Sequence, residues 1–163
     1  MPVINIIYRS RQKPEFDPKA LTVLGPRITV DISPPTIVEK WMINRKIKPK
    51  TLQRVQALID TGASATGIDI NVLRQLNYPP MGVTKLATPS GTIITQTYIV
   101  KLTIPSKTDP NFPPNMPKIE IDNVRAIAVQ LANQPYKVLL GRDVLSKMIL
   151  VYNGPQALIT LGY

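Results

Sequence analysis

The segment Ala57-Leu58-Ile59-Asp60-Thr61-Gly62-Ala63-Ser64 places one carboxylate at the end of an apolar run, followed by small residues. A strand there would deliver Asp60 into a tight turn. Gly62 lets the backbone bend where a side chain would clash. The carboxylate can serve as a general acid or base, or as an Asx-type brace for nearby amides. Carboxylates matter because other chemistry is missing. With no histidine and no cysteine, the chain cannot build a Ser-His-Asp triad, a Cys-His pair or the common zinc sites. No metal and no cofactor is expected. Ser10 and Lys13 have the spacing of a Ser-Lys pair, but their polar, basic surroundings would not desolvate the lysine. Neither a phosphate-binding loop nor a dinucleotide fingerprint is present.

The elements that must position Asp60 read as short strands. Seventeen prolines and eight glycines divide the 163 residues, and segments of that length suit an all-β domain. Strands are expected over Arg27–Ile32, Leu52–Ile59, Val83–Ala87, Thr92–Ile104, Ile119–Ile121, Val124–Val129 and Lys137–Leu140. Ile149–Tyr152 and Ala157–Leu161 should close the chain as a hairpin around Asn153-Gly154-Pro155. Short helices are expected over Thr36–Lys46, with Ile37, Trp41 and Ile43 on its apolar side, over Asp69–Leu76, capped by Asp69, and over Arg142–Lys147. Thr88-Pro89-Ser90-Gly91-Thr92 reads as the turn of a projecting hairpin. Residues 105–118 hold five prolines and read as a loop. Residues 1–24 read as an irregular arm or edge strand, and 25–163 as one domain.

Hydrophobic residues make up 44% of the chain and charged residues 18%, a balance that suits a folded protein. Twenty bases against ten acids give a charge of +10, with eleven bases in the first 54 positions. That charge suits acidic partners, including nucleic acid. Aromatic residues for base stacking are few, so a solvated basic face is favoured. The apolar runs are too short to cross a bilayer and no signal peptide is seen. A cytoplasmic protein with no membrane partner is expected.

Some eighty residues after Asp60 comes Val138-Leu139-Leu140-Gly141-Arg142-Asp143-Val144-Leu145. An apolar run into Asp-Thr-Gly-Ala, then two apolar residues, a glycine and a short helix starting at arginine, resembles the retropepsin-like aspartic proteases. The Asn153-Gly154-Pro155 turn is similar to bacterial members. The resemblance spans roughly Gly25 to Tyr163 and implies a closed, mostly antiparallel β-barrel with one or two short helices, acting as a homodimer. It implies that Asp60 is catalytic, supported by Thr61, Gly62 and Ala63. Thr61 would bond across a two-fold axis, and Gly62 would line the cleft. Thr88, Pro89, Ser90, Gly91 and Thr92 would form the flap, and Leu139, Leu140, Gly141 and Arg142 the second structural motif. Many retroviral members carry an aspartate where this chain has Ser64, paired with the arginine that Arg142 resembles. Arg142 must therefore find another partner or cap the core. The chain carries a single Asp-Thr-Gly, whereas aspartic proteases need two aspartates sharing one proton. A second copy is thus expected to supply the other, with an extended peptide as substrate. The rival expectation is a catalytically idle module of the same shape, binding a protein or nucleic acid through its basic face.

Overall fold

The computed structural model describes residues 3–9, 16–88, 91–104 and 118–163. The loop expected over 105–118, apart from Lys118, and the flap-tip residues Pro89 and Ser90 lie outside the described residues.

Strands β2 (Arg27–Ser33), β3 (Leu52–Ile59), β4 (Gly67–Asp69), β5 (Gly82–Thr88), β6 (Gly91–Ile104), β7 (Ile119–Val129) and β8 (Val138–Leu140) form one sheet. Its order is β2-β3-β8-β4-β7-β6-β5, and β2 pairs again with β6. Six strands therefore close a barrel, while β5 hangs from β6 outside it. Most pairings are antiparallel, but β3–β8 and β4–β7 are parallel. A smaller sheet, β1-β10-β9, is built from Val3–Ile7, Leu158–Gly162 and Ile149–Asn153.

Alternation builds the core. Along β7, Ile119, Ile121, Val124, Ala126 and Ala128 are buried and their neighbours face outward. Ile32, Val30, Val100, Leu102, Ile68 and Leu140 meet them inside the barrel. Each fully buried aliphatic side chain contributes roughly 1.5–3 kcal/mol. β7 runs unbroken where two strands were expected. Asn123 takes a positive φ of 58°, and the β6 register shifts between Val100 and Leu102. Asparagine tolerates that backbone, so a bulge carries the strand through.

Four short helices occur among the described residues: α1 (Pro18–Leu24), α2 (Thr36–Asn44), α3 (Ile70–Arg74) and α4 (Arg142–Leu145). The last three lie where the sequence pattern expects helices, and the total exceeds the one or two that the resemblance implies. α1 lies in the segment read as irregular. Asp17 caps it by accepting from the Ala20 amide at 3.0 Å, and Pro18 occupies its first turn. The orientation of α2 also differs from expectation. Met42 is fully buried and Val38 partly so, while Ile37, Trp41 and Ile43 face solvent. Polar anchors set this orientation. The Thr36 amide donates to Asp122, and Lys101 pairs with Glu39 at 3.0 Å.

Candidate active site

Parallel pairing of β3 with β8 brings the two motifs together. Leu58 sits opposite Leu139 and Ile59 opposite Leu140, so the turns after each strand emerge side by side. The Asp60 amide continues the ladder by donating to the Leu140 carbonyl at 3.0 Å. β8 also pairs with β4, which leads out of the Asp60 turn. The short strand β8 is therefore clasped between the two arms of the Asp60 loop.

Within the loop, the Gly62 and Ala63 amides donate to Asp60 Oδ1 at 2.9 and 3.2 Å. A Cβ on Gly62 would stand 3.1 Å from that oxygen, so glycine keeps the carboxylate seated. Asp60 Oδ2 accepts no hydrogen bond among the described residues, and the side chain is half-buried. One oxygen is thus fixed by the backbone and the other is left open. Thr61 is exposed, and its hydroxyl has no partner among the described residues.

Behind the loop, Gly141 packs so tightly that a Cβ would meet the Ala65 carbonyl carbon at 2.5 Å and the Thr66 nitrogen at 2.8 Å. Only glycine fits this close approach. The Gly141 amide donates to the fully buried Thr66 hydroxyl at 3.2 Å, which donates to Asp143 at 2.8 Å. Arg142 stretches over the loop. Its Nη1 donates to the Thr61 and Gly62 carbonyls at 2.8 and 3.1 Å, and its amide to the Ala63 carbonyl at 3.0 Å. These carbonyls are the partner that Ser64 could not supply. Thr66 and the bond it makes to Asp143 were not visible in the spacing. Asp143 reads from sequence as a charge at a helix start, and nothing local marks Thr66 as the residue it meets.

The β5–β6 hairpin carries the expected flap residues Thr88, Gly91 and Thr92. Thr88 pairs with Gly91, and its hydroxyl donates to the Gly91 carbonyl at 2.7 Å. Leu86 lies opposite Ile93, and Thr95 on the same face donates to the Ala128 carbonyl at 2.7 Å, so that face turns toward the barrel. Ile94 belongs to the opposite face and is 74% exposed. The two adjacent isoleucines therefore face opposite sides of the hairpin.

The remaining described aspartates have local tasks. Asp31 accepts from the Arg54 amide, Asp69 from Asn71 and Leu131, Asp122 from Thr36 and Asn123, and Asp17 from Ala20. Among the described residues, no three acidic side chains gather where a metal ion could sit. No helix there is long and apolar enough to cross a membrane.

A closed β-barrel holding an Asp-Thr-Gly turn against a glycine-arginine turn defines an acid-protease type of module. The aspartyl protease family model matches residues 48–144, from the approach to β3 through most of α4. The chain belongs to the aspartyl protease family, in agreement with its resemblance to the retropepsin-like members. No curated protein matches it.

Proposed function

We propose that the protein is an aspartic endopeptidase whose active site forms between two copies of the chain, each supplying Asp60. The observation that carries this reading is the Asp60 carboxylate itself, braced through Oδ1 by two amides and open at Oδ2. Two carboxyl groups in contact cannot both ionise, so the pair holds one proton. The ionised member takes a proton from water, which attacks the scissile carbonyl. The protonated member donates to the carbonyl oxygen, giving a tetrahedral diol. As the diol collapses, the carboxyl that took the water proton passes it to the departing nitrogen and the C–N bond breaks. The other carboxylate takes the diol proton, so the pair again holds one.

Three features support a second copy. The other described aspartates are occupied in local bonds, as above. The Thr61 hydroxyl stands exposed and has no partner among the described residues, as required of a group reaching across an axis. Thr61 and Arg142 share a shallow hollow with Leu145, Ser146 and Leu150, so β9 borders the loop. The outer face of the β1-β10-β9 sheet exposes Val3, Ile7, Ile149 and Val151 around an Asn5–Thr160 hydrogen bond, a partly apolar surface that pairing would cover. An extended peptide would lie beneath the β5–β6 hairpins, with side chains alternating between facing pockets.

Incubation with a peptide library across a pH series tests the proposal. Wild type should cleave best on the acid side, where the shared proton is retained. Asp60→Asn should lose activity by roughly 10²–10⁴-fold or more. Silence from both proteins would instead favour a binding module of the same shape.

A further inference from the structure

The far end of the barrel carries a surface that peptide hydrolysis does not use. α2 follows β2 and precedes β3, whose other end delivers Asp60. Eight strand residues at about 3.3 Å each separate the two ends by about 25 Å. On α2, Ile37 is 73% exposed, Ile43 61% and Trp41 46%. Lys40, Arg45, Lys46, Lys48 and Lys50 surround them, all exposed. None of these five makes an ion pair among the described residues. The sequence places no acidic residue between Glu39 and Asp60, and the charge of Glu39 is taken up by Lys101. The Arg45 guanidinium lies 4.6 Å from the centre of the Trp41 ring.

We propose that this face docks on an anionic lipid bilayer, with Ile37 and Trp41, one helical turn apart on the same side of α2, entering the headgroup boundary and the basic residues meeting lipid phosphates. An exposed isoleucine and an indole on one side of the helix, beside a dense basic cluster, give a bilayer surface both an apolar and an electrostatic contact. The length of apolar runs, which excludes spanning, does not bear on such surface attachment. Nucleic acid fits less well. It would use the charges but leave Ile37 in water, and Arg45 already covers one face of the only tryptophan. A bilayer held at this end leaves the Asp60 end of the barrel pointing away from the lipid.

Because Trp41 is the only tryptophan, its fluorescence reports the contact directly. The full chain is titrated with phosphatidylcholine vesicles containing about 30% phosphatidylserine, and with pure phosphatidylcholine vesicles. A blue shift, with quenching by brominated lipid, is expected from the anionic vesicles only and should weaken as salt rises. The Lys46→Glu/Lys48→Glu variant should bind about tenfold or more weakly. Ile37→Ser should weaken binding and reduce the blue shift severalfold, and both variants should keep the wild-type circular dichroism, since the altered side chains are exposed. No shift with anionic vesicles would overturn the proposal, as would variants that partition like wild type. A response to an oligonucleotide or an acidic peptide at the same salt, with none to vesicles, would assign the face to that partner instead.

Discussion

Arg142 and Thr66 hold the Asp60 loop from opposite sides, one through exposed carbonyls and one through a buried hydroxyl. Removing the guanidinium in Arg142→Ala frees the Thr61 and Gly62 carbonyls. The loop would then sample geometries that misplace the carboxylate, and a misplacement of about 1 Å can cost roughly 10²-fold in rate. Steady-state assays should show kcat falling by at least about tenfold, with circular dichroism unchanged because Arg142 is exposed. Thr66→Val should act on stability instead. It keeps the volume but leaves the Gly141 amide and the Asp143 carboxylate without their shared partner. Urea titration should report a loss of about 1–3 kcal/mol. The sequence showed Asp60, Gly62, Gly141 and Arg142 because their types sit at telling positions within short motifs. Thr66 could not be found that way, since its partners lie more than seventy residues downstream and meet it only through the β3–β8–β4 clasp.

At the scale of elements, strands were readable where alternation was long, and β3 begins and ends at the residues the pattern marks. β4 was missed because three residues carry no period. α1 was missed although Asp17-Pro18 is a start signal for a helix. The side of α2 that is buried was misjudged for a different reason. Its orientation comes from Asp122 and Lys101, both remote in sequence, rather than from its own apolar residues. Another long-range tie joins the segment after α3 to β6. Tyr78 donates its hydroxyl to the Ile99 carbonyl and packs edge-on against Tyr98, with ring centres 6.1 Å apart. Burial, and then the neighbouring Tyr98, push the Tyr78 phenol above its ordinary value. A phenol with a raised folded-state pKa contributes stability that is fully present below its unfolded value of about 10 and is lost as pH climbs above it. Thermal unfolding should therefore show a steep fall in stability above about pH 10, and Tyr78→Phe should flatten that fall. At neutral pH the same substitution should cost about 1 kcal/mol for the lost hydrogen bond.

For the whole molecule, the barrel joins two turns separated by some eighty residues into one ledge, and that ledge presents the Asp60 carboxylate. The family and the β-barrel were legible because the two motifs and the strand pattern agree with each other. The second copy is an inference of a different kind, drawn from the count of available carboxylates. Mixing wild type with inactive Asp60→Asn addresses it directly. After the copies have exchanged at equal concentrations, activity per wild-type chain should drop to about half, because mixed pairs carry only one native carboxyl group. Activity that stays proportional to wild-type chain, whatever the excess of Asp60→Asn, would show that one copy suffices and contradict the shared site.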